Sequence, residues 1–583
     1  MPAHSYLIKN GLYFDGSPNK ATLSNVLIEN GIIQKVSPNE IEVEESTNVI
    51  DADGKWVMPG FLDTHTHYDA EVIAKPCLKE SVRHGVTTVV IGSCSISMIL
   101  SEALDCSDLF TRVEAVPREQ VLPILENKKT WSSIKDYVAF FDQHPIGPNV
   151  ASYIGHSDLR TAVMGLGRAT NPDAVPTGNE LNEMSKHLEL GMEAGLLGLS
   201  TMTTYWDKID GDRYRSASLP STYAKWKEFR RLNKVLRKFG RIHQGAPNIV
   251  TKWNTALFFF ESLGLWRKKL KTTLITLMDA KATPFAVGLI IAVTRVLNML
   301  KADFKWQALP ATFEVYADGM DLVVFEEFGS GEAALHLKDE LERNELLKDE
   351  SYRRRFRKDY EKKWGGRVWQ RDFHDSKIKD CPDTSLEGKS FGEIADARGI
   401  HPVDLFLDLM IEFGSKIRWH TVIANHRPKV LEQIVTNKDS IISFADSGAH
   451  IRNMAFYNFS LRLLKISLEK SNKGQTDFPI ELAVHKVTGE LADWFGLDAG
   501  YIREGNRADL CIIDPKQLTQ QLDAYHEAPM EGFDGLERMV NRHEGLVTQV
   551  FINGKLAFDE ESFPEDLGKE RHYGQFLRSQ FNG

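Results

Sequence analysis

The 583-residue chain is poor in cysteine, and the five that it has are widely scattered, odd in number and without a CxxC pair. This pattern argues against a disulfide framework and favours a reducing compartment. The first residues also lack the long apolar core of a signal peptide, so we expect a cytoplasmic protein. The cysteines are Cys77, Cys94, Cys106, Cys381 and Cys511.

The chain also lacks a net positive charge and a long apolar run. The formal net charge is −10, whereas nucleic-acid-binding proteins typically carry an excess of basic residues. The most apolar stretch, residues 284–300, contains Thr294 and Arg295 and is shorter than the roughly 20 residues that span a bilayer. We expect it to form a buried helix, and we expect neither nucleic acid nor a membrane as a partner.

The most informative stretch is residues 57–69, Val-Met-Pro-Gly-Phe-Leu-Asp-Thr-His-Thr-His-Tyr-Asp, in which an apolar run ends in Asp63, His65 and His67. Because side chains alternate between the two faces of a strand, these three point the same way, while Thr64 and Thr66 point the other way. Two imidazoles on one face can reach one divalent cation. The spacing therefore predicts a metal site, the alternative being histidines that satisfy hydrogen bonds in a core.

Both ends of the chain are typical of a small β domain. Asn-Gly pairs, which tolerate positive φ, lie between apolar runs and begin at Asn10, Asn30 and Asn553. Residues 510–513, Leu-Cys-Ile-Ile, read as another strand. We predict a small β-sandwich domain built from both termini, with residues 1–58 as its first part and residues 491–583 as its second part and C-terminal tail.

Between these ends the sequence supplies eight apolar strand candidates separated by helical stretches. Continuous Val/Ile/Thr runs such as residues 86–91 are typical of parallel strands covered on both faces, and eight βα units favour a closed barrel. We predict the α/β class, with a (β/α)8 TIM-type barrel over residues 59–490. A charged helical insertion at about 310–400 would be a lid or a surface helix pair. The strand candidates end near His67, Cys94, His156, Thr201, Gly245, Lys281, Ala424 and Asp446.

Motifs along the chain match one enzyme family. Cys94 closes the strand after the His-x-His strand and follows Gly-Val-Thr-Thr-Val-Val at 85–90. Gly-His-Ser-Asp-Leu-Arg at 155–160, Asp-Ser-Gly-Ala-His at 446–450 and Gly-Asn-Arg-Ala-Asp-Leu at 505–510 follow. With the His-x-His stretch, they resemble the N-acyl-D-amino-acid deacylase (D-aminoacylase) family of the metal-dependent amidohydrolase superfamily. The resemblance implies a barrel with metal ions at the carboxyl ends of its strands.

The resemblance also implies the ligands of a zinc site with one or two ions, or another divalent metal. His65, His67 and Cys94 would hold the metal, because imidazole and thiolate are strong zinc ligands. Asp446, which barrel closure puts beside the first strand, would bind the metal and act as general base, unless it only caps a helix. The family carries histidines on strands five and six; His243, one or two residues early, and Asp279 are the candidates here.

Four further residues are expected near the substrate. Lys281 matches a family lysine at the substrate end of the site and would bind the substrate carboxylate or form a structural salt bridge. The resemblance puts His156 and Arg160 near the substrate, although a packing role fits His156 as well. Tyr205 would line the acyl pocket or polarise the carbonyl.

The sequence thus predicts a metal-dependent amide hydrolase that converts small N-acyl-D-amino acids to a carboxylate and a free D-amino acid. A cyclic-amide hydrolase of the hydantoinase or dihydroorotase kind is one alternative, in which Lys281 would be a carboxylated bridging ligand. A non-catalytic scaffold of the same fold is the other, and the substitutions at strands five and six favour it. Retention of the His65, His67, Cys94 and Asp446 set argues against it. Monomer and homo-oligomer both stay open.

Overall fold

The computed structural model describes residues 5–248, 252–363 and 365–581, and the strands in these ranges form five sheets. The strands are β1 (Ser5–Tyr13), β2 (Thr22–Glu29), β3 (Ile32–Ser37), β4 (Asn48–Asp51), β5 (Trp56–Pro59), β6 (Phe61–Asp63), β7 (Val86–Ile91), β8 (Asn149–Ser152), β9 (Ile154–Gly155), β10 (Gly198–Met202), β11 (Ile242–Ala246), β12 (Lys271–Leu274), β13 (Asp303–Ala308), β14 (Phe313–Asp318), β15 (Ser376–Asp380), β16 (Arg418–Ala424), β17 (Ser440–Ile442), β18 (Leu510–Ile513), β19 (His526–Pro529), β20 (Glu537–Val540), β21 (Val547–Ile552) and β22 (Lys555–Asp559).

The helices surround these sheets. They are α1 (Glu71–Ala74), α2 (Lys79–Arg83), α3 (Ala103–Phe110), α4 (Arg118–Lys128), α5 (Ile134–Gln143), α6 (His156–Met164), α7 (Leu166–Ala169), α8 (Gly178–Glu193), α9 (Trp226–Phe239), α10 (Lys252–Ser262), α11 (Ala286–Met299), α12 (Gly329–His336), α13 (Glu340–Lys348), α14 (Glu350–Glu361), α15 (Phe391–Arg398), α16 (Pro402–Phe413), α17 (Pro428–Thr436), α18 (Phe459–Asn472), α19 (Ile480–Val487) and α20 (Gly489–Phe495).

Strands from both ends of the chain share one sheet, in the order β22-β21-β18-β5-β1-β2-β3, with β4 paired to β1. Asn30 and Asn553 adopt positive φ in the turns after β2 and β21, as hairpin turns require. Asn10 differs from the expected hairpin, because β1 runs through it with a register shift between Ile8 and Gly11. Positive φ is used there for a bulge, a role that the Asn-Gly pattern does not distinguish from a turn.

Two parallel sheets form a TIM-barrel-like domain. One has the order β6-β7-β8 and the other the order β9-β10-β11-β12-β13-β17. The amide of Leu197, just before β10, donates to the carbonyl of Ser152 in β8, at 2.9 Å. At the other edges, a parallel bridge joins Thr66 to Ser447. The carboxyl ends of β6, β7 and β17 therefore lie on the same side, where His65, Cys94 and Asp446 follow them, and Gln244 lies within β11.

The sixth and seventh strands differ from the predicted ones. The sixth ends at Leu274, so Lys281 lies in the following loop. The seventh is β13, whereas β16, which ends at Ala424, is the centre of an antiparallel sheet with β14 and β15. An apolar run predicts a strand but not its partner, and β13, in which polar and apolar residues alternate, was not among the predicted strands.

A second hydrophobic core lies under this antiparallel sheet. It joins β14, β15 and β16 to helices α12 to α16, and its centre is a cluster of aromatic rings that includes Phe325, Phe406 and Trp419. The basic side of α14 is exposed to solvent, while Tyr352, Phe356 and Tyr360 of the same helix are buried. The charged stretch is thus the solvated face of helices that pack on their own core.

Helix α11 was expected to be buried and is not. Only Val287 and Thr294 of its 14 residues are buried, and Leu289 and Met299 are 68% and 76% exposed. The helix contacts the domain along one narrow side, where Thr294 Oγ1 accepts a hydrogen bond from Trp306 Nε1 at 2.8 Å. Within the described ranges, no helix combines the length and the apolarity needed to cross a membrane.

Candidate metal centre

His65 and His67 lie just beyond β6 and are held by backbone bonds to both neighbouring strands. The Thr66 amide donates to Val90 O at 3.1 Å, and the His67 amide donates to Ser447 O at 2.8 Å. This extended geometry keeps the alternation of side chains, so both imidazoles face the same side. A Cβ on Gly448, whose φ is +92°, would lie 2.9 Å from the His67 carbonyl oxygen. Glycine at 448 therefore allows the two segments to approach closely.

Cys94 completes a three-residue cluster. It follows β7 with φ at 52°, and its amide donates to Gln244 Oε1 at 3.2 Å. Its Sγ lies 3.3 Å from His65 Nε2, and one ligand atom from each of His65, His67 and Cys94 lies within 4.8 Å of the others. All three side chains are buried. Two imidazoles and a thiol at this spacing match a zinc site.

Asp446 lies against the two histidines. Its Oδ1 is 3.2 Å from His65 Nε2 and 3.6 Å from His67 Nε2, and it adopts a φ of 51°. Burial raises the pKa of this carboxyl group, and the nearby His65 opposes the rise. Among the described residues, Asp446 Oδ1 has no hydrogen-bond donor. A buried carboxylate oxygen without a donor is costly, so this atom fits a site that holds a cation.

A hydrogen bond orients the His65 imidazole, and a carboxylate lies beside the His67 imidazole. His65 Nδ1 is 2.5 Å from Gln307 Oε1, and because an amide oxygen only accepts, the proton lies on Nδ1 and Nε2 keeps its lone pair. Glu114 Oε1 lies 3.2 Å from His67 Nδ1. Burial is the main cause that lowers the pKa of His65 to about 4 and of His67 to about 3. Both rings are therefore neutral near pH 7, as metal ligands must be.

The cluster lies among buried acids. Burial raises the pKa of the Cys94 thiol well above its usual value, and the negative charges of Asp446, Glu114 and Asp207 add to the rise. Burial likewise raises the pKa of Asp207 to about 7. A divalent cation would offset this excess of negative charge and favour the thiolate. The donor set and its electrostatics thus both fit a metal ion, which His65, His67 and Cys94 would hold with Asp446.

The sequence did not predict a role at the site for Gln244, Gln307 or Glu114. Gln244 follows the predicted ligand His243 by one position and therefore faces the other side of β11. Gln307 lies on the strand that the sequence did not reveal. Glu114 follows α3 in a stretch with no motif, so no signal pointed to it.

The two candidate ligands on strands five and six lie elsewhere. His243 points away from the cluster: its Nε2 is 3.0 Å from Thr201 Oγ1, and its ring packs against Phe229 and Phe258. The strand register explains this, because Gln244 takes the inward position. Asp279 is fully buried and forms a two-pronged ion pair with Arg427. In the part of the chain that the structure describes, neither residue joins a metal-ligating group.

The expected substrate residues also lie away from the cluster. His156 Nε2 is 2.8 Å from Glu228 Oε1 on α9, and Arg160 pairs with the other oxygen of the same carboxylate, so both belong to a buried network between helices. Lys281 pairs with Asp375. Tyr205 donates its hydroxyl to Glu327 O at 3.0 Å. These contacts support packing and salt-bridge roles for the first three.

Two cavities share the wall formed by Trp206 and Asp207. The polar cavity, of about 280 Å³, contains five cations, Arg112, Lys208, Arg215, Lys338 and Arg343, and three acids, Asp207, Asp321 and Glu326. The apolar cavity, of about 600 Å³, is lined by apolar side chains of β10, β11, α10 and α11 and of the loop after β12, with Asp207 as its one ionisable residue among those described.

Each cavity adjoins one histidine of the cluster. Phe444, in the wall of the apolar cavity, packs its ring on the His65 ring with centroids 5.4 Å apart. Val113 and Ala115, in the wall of the polar cavity, flank Glu114, which contacts His67. The walls of the two cavities thus reach the cluster through Phe444 and through the segment around Glu114.

Comparisons with known proteins agree with this geometry. A profile described as "Amidohydrolase family" matches residues 48–225. An uncharacterized protein of Mycobacterium tuberculosis is 48% identical, over 99% of this chain and 96% of the relative. An N-acyl-D-aspartate deacylase of Alcaligenes xylosoxydans xylosoxydans is 30% identical over 34% of this chain and 37% of that enzyme.

A solved structure has the same fold over nearly the whole chain. The N-acyl-D-glutamate deacylase of Bordetella bronchiseptica, complexed with zinc and a phosphonate inhibitor, superposes with a TM-score of 0.62 at 18% identity, covering 98% of this chain and 99% of that one. Fold and site together define a metal-dependent hydrolase acting on carbon–nitrogen bonds. The chain belongs to the amidohydrolase family, and its resemblance to the N-acyl-D-amino-acid deacylases is confirmed.

Proposed function

We propose that this protein is a zinc-dependent deacylase that converts N-acyl-D-amino acids to a carboxylate and a free D-amino acid. The observation that carries the proposal is the buried cluster of His65, His67 and Cys94, with Asp446 Oδ1 3.2 Å from His65 Nε2. The deacylases among its relatives and structural neighbours act on N-acyl-D-aspartate and N-acyl-D-glutamate. We infer one tightly held ion, because His243 and Asp279 have other partners.

When bound, the ion would polarise the scissile carbonyl and lower the pKa of a bound water. Asp446 would accept the proton of the attacking water at Oδ1 and return it to the leaving nitrogen. Gln307, by fixing the His65 ring, would keep its Nε2 aimed at the ion. The backbone amide of Cys94, tied to Gln244 Oε1 at 3.2 Å, would keep the thiolate in place.

We assign the substrate carboxylate to the polar cavity instead of Lys281. Lys281 pairs with Asp375 and lines neither cavity, whereas the polar cavity is lined by five cations, which form ion pairs with Glu326, Glu332, Asp210 and Asp321. Arg112 lies there, on the stretch that leads to Glu114, and donates to Glu326 and Ser216. A carboxylate would bind to such a surface through charge-assisted hydrogen bonds.

We further propose the domain organisation predicted from the sequence. The two parallel sheets would form one closed (β/α)8 barrel within residues 59–490, since hydrogen bonds join them at both edges. The terminal sheet would fold on itself as a small β-sandwich, because side chains of β1, β2, β5, β18 and β21 meet in one core. The second core would be the insertion.

Two other functions are less consistent with the geometry. A cyclic-amide hydrolase with a carboxylated lysine would need Lys281 at the metal, but its ammonium contacts Asp375 and it belongs to no metal-ligating group in the described residues. A scaffold without catalysis would have no need to keep three ligands and a carboxylate within contact distance.

Metal content and stereochemistry test the proposal together. We expect about one zinc-like ion per chain in the purified wild type by elemental mass spectrometry, and clear loss of it in Cys94→Ala. Cys106→Ala is the matched control, because Cys106 is also buried and free but lies outside the cluster. The wild type should hydrolyse N-acetyl-D-amino acids and not their L forms. Absence of metal uptake, or hydrolysis of hydantoin alone, would refute the proposal.

A further inference from the structure

The apolar cavity is larger than an acetyl group needs. Its volume of about 600 Å³ lies within the range of about 300–1,000 Å³ that holds drug-sized ligands. The lining includes Met202, Phe259, Ile290 and Trp306. Burial of polar ligand atoms here would leave most of them without partners, so the cavity is suited to an apolar group.

The cavity is directed at the reacting end of the site. Its wall includes Phe444, whose ring packs on the His65 imidazole with centroids 5.4 Å apart. Trp206 and Asp207 form the wall that it shares with the polar cavity. A substrate whose carbonyl lies at the cluster can therefore extend one substituent into the apolar cavity and the other into the polar one.

We propose that the natural substrate is amphiphilic, with a long unbranched acyl chain in the apolar cavity and the amino-acid carboxylate in the polar cavity. This proposal rests on the deacylase function and names its substrate class. The polarity of the linings decides the direction: the polar cavity is lined by five cations, each ion-paired with an acid, and the described lining of the apolar cavity has none. A carboxylate in the apolar cavity would face Asp207 without a counter-ion.

Helix α11 gives the chain a way in. Leu289 and Val293 line the cavity and are also 68% and 37% exposed, so one helix is both the wall and the outer surface. Phe285, at its start, is 90% exposed. Contiguous exposed apolar residues mark binding sites more often than chance contacts. The expectation of a buried helix fails here because the apolar face of α11 borders a cavity that a ligand fills.

Chain length is the first test. We expect kcat/KM for N-acyl-D-alanines to rise by about fourfold per methylene, the factor that corresponds to ~0.8 kcal/mol of burial. Between the acetyl and the decanoyl substrate, kcat/KM should rise at least about a hundredfold before the cavity is filled. Equal rates for acetyl and decanoyl substrates would overturn the inference and leave the deacylase function intact.

Two variants on the same helix localise the effect. Val293→Trp should fill the cavity and lower the decanoyl-to-acetyl ratio by about tenfold or more. Val296→Trp is the control, since Val296 is 55% exposed on α11 and is not part of the cavity wall; it should keep the wild-type ratio. If Val293→Trp does not fold, Leu289→Trp replaces it. Equal ratios in the filled variant and the control would contradict the assignment.

Binding without hydrolysis separates this inference from the deacylase proposal. Decanoate should bind the zinc-loaded wild type in calorimetry with a negative heat-capacity change, acetate should not, and Val293→Trp should weaken the decanoate signal. If that pattern holds but no N-acyl-D-amino acid is hydrolysed, the chain site stands and the deacylase falls. If longer amino-acid side chains, with an acetyl group, give the gain instead, the acyl assignment is wrong.

Discussion

Two groups of strand ends in the TIM-barrel-like domain differ in chemistry. The ends of β6, β7 and β17 are followed by His65, His67, Cys94 and Asp446; the first three form the buried cluster, and Asp446 Oδ1 lies 3.2 Å from His65 Nε2. The ends of β11 and β12 carry no ligand to the cluster, and the segments that follow them line the apolar cavity with Ala246, Pro247 and Met278. One side of the site is thus built to hold a cation, and the other to hold apolar atoms.

The difference explains the departures from the deacylase pattern at strands five and six. The inward position of β11 is Gln244, whose carbonyl oxygen accepts the Cys94 amide hydrogen bond, and Asp279 is neutralised by Arg427. Loss of two histidines therefore leaves no unpaired charge behind. Gln244 and the Asp279–Arg427 pair are consistent with a site of one ion beside an apolar space.

The largest effect is expected at Asp446. Asp446→Asn keeps the shape but cannot accept the proton of water, so we expect kcat to fall by about 10²–10⁴-fold. Metal content should stay close to that of the wild type, because three other ligands remain. Steady-state kinetics with an N-acyl-D-amino acid and elemental analysis of the same sample check this. Appreciable turnover in the variant would rule out the general-base role.

Asp207, in the wall between the two cavities, should make stability depend on pH. Its folded pKa of about 7 lies above the usual value of 3.8, so the folded state binds more protons and stability is lost as pH rises through this interval. In metal-free protein, Asp207→Asn should gain stability over wild type by about 2–3 kcal/mol between pH 5 and pH 8. Urea unfolding at both pH values measures it; a constant difference would contradict the raised pKa.

Gln307 should matter for metal affinity although it is not a ligand. Gln307→Leu removes the acceptor of the His65 Nδ1 proton, which is 2.5 Å away, and should weaken zinc binding by about 10–100-fold in chelator competition. His243→Gln, on the strand end without ligands, should leave zinc affinity unchanged. Equal losses in the two variants would show that His243 reaches the metal after all.

The smallest effect is expected at Asp279. Asp279→Asn weakens the ion pair with Arg427, so Tm should fall, because a buried carboxylate that accepts two charge-assisted bonds is replaced by an amide. Zinc stoichiometry should not change. Thermal unfolding and elemental analysis decide between this role and the ligand role; loss of zinc without loss of stability would favour the ligand.

Local sequence patterns predicted several features of the fold and of the candidate metal site. Spacing by two put His65 and His67 on one face, and the apolar run of β7 put Cys94 at its end, because alternation and strand length are local properties. Asp446 followed from the order of the strands. Turn residues predicted the positions of Asn30 and Asn553. These are features in which neighbours in sequence determine the conformation.

The sequence did not determine which runs pair with which, or which face of an element meets the core. The run at β16 looked like a barrel strand, and pairing with β14 and β15 decided otherwise. Strand register decided whether His243 or Gln244 faces inward. Asp279 pairs with Arg427, which lies 148 residues away in the chain.

The sequence by itself therefore determined which candidate metal ligands lie on adjoining strands and the enzyme class that they imply. Only the tertiary structure decided which candidate ligands meet, the hydrogen bond between His65 and Gln307, the contact of Glu114 with His67 and the position of two chemically different cavities. The physical reason is that ligand type and alternation are encoded within a few residues. Burial, register and charge pairing instead arise from contacts between segments distant in the chain.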